Sequence, residues 1–261
     1  NTLAGKGKIS AGDASAAHAR LASSPDLADF HDCDLIVEAI IEDLAAKQAL
    51  FKSLETICAP TTVLASNTSS ISITAIASAL TRPENVVGMH FFNPAPIMPL
   101  VEVVSGHLTS NDVAERMEAT SREWKKSPVR CKSTPGFIVN RVARPYYGEA
   151  FRALESGGAD AATIDLVMRE VGGFRIGPFE LLDLIGLDVN LMVTKSVWNA
   201  YFQDSRYRPS LTQEEMVAGG LLGRKSGRGF YRYPEGTPPA PASALGPAPT
   251  MVQYLTESDA L

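Results

Sequence analysis

Apolar and polar positions along the chain fall into two alternating periods over roughly its first half. From Asp34 the run DLIVEAI is short, apolar and bounded by acids, which predicts a strand buried on both faces of a sheet. The period then changes. Leu44, Phe51, Leu54 and Ile57 recur at helical steps, interleaved with Lys47, Lys52 and Glu55, and predict an amphipathic helix. TVLAS (62–66) is a second strand, Ser72 to Leu80 a short helix, and VVGMHFF (86–92) a third strand ending at an Asn-Pro turn. LVEVV (100–104) is a fourth strand. Strands alternating with helices at this spacing predict βαβ units, hence an α/β fold with a parallel sheet and helices on its faces.

Strand signals fade after Cys131. Thr134-Pro135 offers a cap and a first-turn proline for a helix that reaches the Gly157-Gly158 stop, with Pro145 expected to kink it. Helical segments follow at 160–171 and 178–203, ahead of the aromatic run GRGFYRY (227–233). Beyond it Pro238, Pro239, Pro241, Pro247 and Pro249 mark a linker-like stretch, with the apolar patch MVQYL (251–255) after it. The expected organisation is an α/β domain over 1–131, an all-α domain over 132–233 and a Pro/Ala-rich linker or tail over 234–261.

Composition narrows the function classes. The chain is 45% hydrophobic and 20% charged, which is globular, and its net charge of −5 comes without a dense Lys/Arg block, which argues against nucleic acid as a partner. No apolar run approaches the ~20 residues that span a bilayer, so no membrane insertion is expected. Cys33, Cys58 and Cys131 are too scattered for a disulfide framework or a metal site, which suits a reducing, cytoplasmic location. No metal is expected.

His90 lies where a strand runs into a turn, the edge of an open α/β sheet on which ligands bind. A neutral imidazole there can take a proton from a substrate hydroxyl; the alternative is a structural, hydrogen-bonded His. Glu102 interrupts a Val/Leu run, where a carboxylate is costly unless paired. Either it orients His90, fixing the tautomer and stabilising the imidazolium, or it is an exposed Glu on a half-buried strand. Ser66-Asn67-Thr68-Ser69-Ser70 gathers hydroxyls, an amide and backbone N–H groups at the end of a strand, to orient a carbonyl or hydroxyl or simply to cap a helix. Asn140 stands in the otherwise apolar GFIVNRVARPYY, where a buried amide needs partners.

VEAIIEDLAAKQALF, ASNTSSISIT, GMHFFNPAPIMPLVEVV, TPGFIVNRV, GPFELLDLIGLD and GRKSGRGFYRY occur in one order, and over about 38–233 the chain resembles the 3-hydroxyacyl-CoA dehydrogenase family. The resemblance implies a Rossmann-type doubly wound parallel sheet followed by an all-α C-terminal domain that binds substrate and forms a homodimer. It makes His90 the general acid/base and Glu102 its orienting partner, with Ser69 and Asn140 contacting the reacting end of the acyl group. It sets Asn93 beside the nicotinamide carboxamide, Asn67 in the loop lining the same site, and Glu42 and Lys47 near the cofactor ribose and nicotinamide end. The implied cofactor is NAD, and the implied reaction converts an L-3-hydroxyacyl-CoA to the 3-ketoacyl-CoA. Family members begin with a strand and a GxGxxG turn. The nearest local pattern, Gly5-Lys6-Gly7-Lys8-Ile9-Ser10, lacks the third glycine and a preceding strand, and reads as a turn between helices. The expectation is therefore that the first strands and the fingerprint are missing and that this polypeptide alone is inactive. Two other readings are a dehydrogenase of a non-CoA hydroxy acid and a non-catalytic binding or structural relative.

Overall fold

A computed structural model describes residues 5, 7 and 9–234, which form two compact units meeting at Ser133 and Thr134. The Pro/Ala-rich segment, MVQYL, Lys6 and Lys8 lie outside the described residues.

The first unit is a five-stranded sheet in the order β1 (Leu35–Glu38), β2 (Val63–Ser66), β3 (Val86–Phe91), β4 (Leu100–Ser105) and β5 (Ser127–Lys132). β1, β2 and β3 run parallel, β4 turns back antiparallel to β3, and β5 runs parallel to β4. The sheet is thus mostly parallel, as expected of the fold class, with one antiparallel pairing at β3–β4. The reason is chain length, since 92–99 is shorter than the dozen or so residues that a parallel crossover needs. β5 was not expected at all. Its sequence, SPVRCK, carries a proline and two cations, and its positions are mostly exposed because it is an edge strand.

Among the described residues, α1 (Ala11–Ala19), α2 (Leu44–Ile57), α3 (Ile73–Ala77) and α4 (Asn111–Glu123) accompany the sheet. Gly7 sits in a turn before Ser10, whose hydroxyl caps α1. Asp43 caps α2 by accepting from Ala46 N–H at 2.8 Å. α2 buries Lys47, Phe51 and Leu54, one stripe at helical spacing, so a lysine occupies a position that the period reserves for an apolar residue. Val63, Ala65, Val87, Met89 and Val103 share a core with Val113 and Met117 of α4. On β3, Gly88 is needed for packing, because a Cβ there would lie 2.7 Å from that of Val104 and 2.9 Å from Cδ1 of Ile73.

The second unit is helical: α5 (Val139–Glu155), α6 (Ala161–Glu170), α7 (Pro178–Ile185), α8 (Leu187–Ala200) and α9 (Leu211–Ala218). α5 begins four residues later than Pro135 suggests. Thr134 to Phe137 close a turn instead, with Phe137 N–H donating to Thr134 O at 2.8 Å, and Gly136 and Phe137 both have positive φ, which no helix continues through. Pro145 sits inside α5. The single helix expected over 178–203 is two helices, broken at Gly186, whose φ of 103° favours glycine.

Two buried carboxylates lock the end of this unit. Asp183 accepts from Phe230 N–H at 3.0 Å, Tyr231 N–H at 2.9 Å and the Tyr233 hydroxyl at 2.9 Å. Asp165 accepts from Phe179 N–H at 2.8 Å, Glu180 N–H at 3.0 Å and the Tyr231 hydroxyl at 2.6 Å. Burial pushes both carboxyls upward, and the donors around them work against it. The GRGFYRY run is therefore a strap fastened to α6 and α7. Its Phe230 joins the core, with its ring centroid 4.4 Å from that of Phe179 and 5.9 Å from that of Phe151.

Candidate active site

Antiparallel pairing of β3 with β4 sets His90 directly opposite Glu102, so both side chains leave the same face of the sheet. His90 Nδ1 lies 2.7 Å from Glu102 Oε2, and both residues are buried. An ionised carboxylate can only accept, so Nδ1 carries the proton and the Nε2 lone pair faces outward. Nε2 is 3.1 Å from the Ser69 hydroxyl, which then donates to it. The Phe92 ring packs against the imidazole, with centroids 4.7 Å apart.

The loop after β2 is tied down from several directions. Asn67 Oδ1 accepts from Phe91 N–H at 2.9 Å, joining the loop to the end of β3. Asn67 N–H donates to the Glu38 carbonyl at 2.8 Å. Glu42 Oε1 gathers four donors: the Thr68 hydroxyl at 2.6 Å, Ser69 N–H at 3.0 Å, Ser70 N–H at 3.1 Å and the Ser70 hydroxyl at 3.0 Å. Burial pushes the Glu42 carboxyl up, but the Thr68 and Ser70 hydroxyls, the Lys47 charge and Ser69 N–H outweigh it and hold the group below its ordinary value.

Beneath that loop, Lys47 Nζ lies 2.6 Å from Glu38 Oε1 and 3.3 Å from Glu42 Oε2, with its side chain 1% exposed. Glu38 completes its own bonding with Ile40 N–H at 2.7 Å and the Ser66 hydroxyl at 2.7 Å. Sequence reasoning singled out Lys47 and Glu42 but not Glu38. The signal was available, because Glu38 interrupts an apolar strand just as Glu102 does.

The structure thus brings His90, Glu102, Ser69, Asn67, Glu42 and Lys47 into one bonded group at the carboxyl edge of β1, β2 and β3. Asn93 follows immediately, exposed, in the turn after β3 that contains a cis Asn93-Pro94 bond. Lys126 holds that turn, donating to the carbonyls of Ala95 and Met98. Asn140 is half-buried in the first turn of α5, in the second unit. Among the described residues no group of three His, Cys, Asp or Glu side chains could hold a metal ion. Cys131 is no nucleophile here, since burial and the Glu102 charge push its thiol up to about 12.

Glu102, His90 and Ser69 share the connectivity of an acyl-transfer triad, but the surroundings oppose that chemistry. Ser69 N–H and Ser70 N–H, which would have to hold an oxyanion, already donate to Glu42, whose negative charge would repel one. A carboxylate-backed imidazole beside a hydroxyl, without an oxyanion hole at that serine, suits proton exchange with a bound hydroxyl or carbonyl oxygen.

Comparison with known proteins agrees with this chemistry. Residues 1–134 match the family described as 3-hydroxyacyl-CoA dehydrogenase, NAD binding domain, and residues 136–233 match that described as 3-hydroxyacyl-CoA dehydrogenase, C-terminal domain. Over 233 residues the chain is 53% identical to the Escherichia coli protein named 3-hydroxyadipyl-CoA dehydrogenase, covering 89% of this chain and 49% of that one. The crystal structure of 3-hydroxybutyryl-CoA dehydrogenase from Escherichia coli K12 superposes with a TM-score of 0.88 at 48% identity, over 99% of this chain and 53% of that one. The structure of (S)-3-hydroxybutyryl-CoA dehydrogenase from Ralstonia eutropha does so with a TM-score of 0.85 at 40% identity, over 90% and 82% of the two chains. The chain therefore spans about half the length of the two Escherichia coli proteins.

Proposed function

We propose that this chain, which belongs to the 3-hydroxyacyl-CoA dehydrogenase family, carries the acid/base site of an enzyme that oxidises L-3-hydroxyacyl-CoA to 3-ketoacyl-CoA with NAD. The supporting observation is the line from Glu102 through His90 to Ser69, at 2.7 and 3.1 Å. In the oxidative direction His90 Nε2 takes the proton of the substrate hydroxyl, and Glu102 stabilises the imidazolium that forms. Ser69, one hydrogen bond from Nε2, steadies the same substrate oxygen. In reverse, His90 returns the proton to the carbonyl oxygen. Asn140 is assigned a further contact to the acyl group, and Asn140→Ala should accordingly raise the KM for the acyl-CoA.

The residues present fit the nicotinamide riboside end of NAD. The Glu42 side chain keeps about 41% of its surface exposed and can accept from a ribose hydroxyl, while Asn67 and Asn93 offer amides to a carboxamide. Lys47 serves through Glu42, because its ammonium is enclosed. When bound, the cofactor supplies the hydride acceptor, and the protein supplies the proton site and the alignment.

We also assign the protein a homodimeric state. Its support is an apolar cavity of about 790 Å³ between α5 and α6, lined by Pro145, Tyr146, Ile164 and Met168 and rimmed by exposed Val142 and Phe174. A Val142→Asp substitution that left the sedimentation behaviour unchanged would remove that face from the assignment. A cytoplasmic location is assigned from the three free thiols, and cell fractionation tests it. No helix among the described residues is long and apolar enough to cross a membrane.

The deciding experiment follows NADH formation from 3-hydroxybutyryl-CoA and from free 3-hydroxybutyrate by the full-length natural protein and by its His90→Ala variant, with the 261-residue chain alone expected to form none. Turnover of the thioester that His90→Ala abolishes is the expected result. Activity that survives the substitution, or that prefers the free acid, would overturn the proposal.

A further inference from the structure

Besides the cofactor contact given to Glu42, the Glu38, Lys47 and Glu42 cluster is bonded into the serine loop. Lys47 is 1% exposed and lies between two carboxylates. Glu38 is 3% exposed, with one oxygen on Lys47 and Ile40 N–H and the other on the Ser66 hydroxyl. Two carboxylates on one ammonium leave one negative charge over, and that charge falls on Glu42. Its Oε1 is turned into the loop, where four donors from Thr68, Ser69 and Ser70 surround it. Such donors are strong because the acceptor is charged. The residue at the centre of this bonded turn is Ser69, whose hydroxyl meets His90.

We infer that Glu38, Lys47 and Glu42 form a buried relay that positions Ser69, and through it His90, for proton transfer. Glu38 fixes Lys47, Lys47 fixes Glu42, and Glu42 fixes the backbone of the serine loop. Thr68 closes the turn on itself, accepting from Ser70 N–H at 3.2 Å and Ile71 N–H at 2.8 Å. Glu38 and Lys47 are positioning residues, and Glu42 positions the loop through Oε1. The inference rests on the dehydrogenase reading for its kinetic consequence, but the geometry it invokes is independent of substrate.

The test compares Glu42→Gln, Ser69→Ala and the double variant in the full-length natural protein, with Thr68→Val as a milder way of loosening the same loop and Glu38→Gln as the remote end of the relay. A misplaced serine should lower kcat, measured at saturating NAD, by roughly 10- to 100-fold in Glu42→Gln. The double variant should be no worse than Ser69→Ala alone, because both changes remove one coupled element. Glu38→Gln and Thr68→Val should show the same kcat loss, reduced. The ¹⁵N signal of His90 Nε2 should move in Glu42→Gln as it does in Ser69→Ala, and this readout needs no turnover. Additive losses, an intact kcat with a raised KM for NAD, or an unmoved Nε2 signal would overturn the relay. A full-length wild-type protein that fails to oxidise the acyl-CoA would sink the proposed activity, while the Nε2 signal would still decide the relay.

Discussion

Glu102→Gln isolates the charge of the acid/base pair from its shape. The carboxamide is almost isosteric and its oxygen can still accept from Nδ1–H, so the 2.7 Å contact and the imidazole tautomer survive while the negative charge does not. With roughly 4 Å between charge centres and an effective dielectric of about 20, a full imidazolium would lose about 4 kcal/mol of attraction. If half of that charge has developed at the transition state, the barrier rises by about 2 kcal/mol, which is about 30-fold in kcat. Glu102→Ala should cost more, because it also removes the acceptor from a site that is 1% exposed and leaves a void. The assay is NADH formation by the full-length natural protein at saturating 3-hydroxybutyryl-CoA and NAD, with thermal unfolding recorded in parallel to show that the variants are folded. A Glu102→Gln enzyme with undiminished kcat, or one whose defect appears only in the KM for the acyl-CoA, would refute the role given to the carboxylate.

The strap and the loop clamp give further tests. Tyr231→Phe deletes the hydroxyl that donates to buried Asp165 at 2.6 Å and should lower stability by about 1–3 kcal/mol, read as a lower denaturant midpoint with no change in slope. Gly177→Ala would drive a Cβ into the Asp165 side chain, and overpacking at that point should cost about 1–3 kcal/mol or more in thermal unfolding, with no repacking expected because the intruded group is already bonded three times. Glu42 carries a pH signature. Because its folded carboxyl is held below 4.5, its contribution to stability is complete above that pH and is lost as pH falls through the lower folded value. The gap in unfolding midpoint between the wild type and Glu42→Gln should therefore persist down to pH 4.5 and close below it, and a gap that closes above 4.5 would contradict the clamp.

Much of this was readable from residue order. β1 to β4 announce themselves as apolar runs between turn residues, and His90 and Glu102 stood out because a carboxylate inside a Val/Leu run must find a partner. β5 stayed hidden because an edge strand has one solvated side and SPVRCK has no clean alternation. The reversal at β4 was legible in the short 92–99 connection, but the rhythm of strands and helices suggested crossovers throughout. Gly186 divides α7 from α8 through a backbone angle that letters alone do not display. Lys47 misled in a different way. Helical periodicity assigns lysine to solvent, and only the depth of Glu38 on the neighbouring strand makes a buried ammonium tolerable, since removing one partner of such a pair costs about 3–5 kcal/mol.

The pairing of His90 with Glu102 across two adjacent strands has a consequence for variation. Their mutual placement is a property of ladder register, and a slip of one residue would send both side chains to the opposite face. The intervening turn, 92–99, contributes nothing to the Nδ1–Oε2 distance, provided that its ends stay joined. Insertions or exchanged segments beyond Pro94 would leave the spacing of this pair untouched, because two adjacent strands and not the hairpin tip set it.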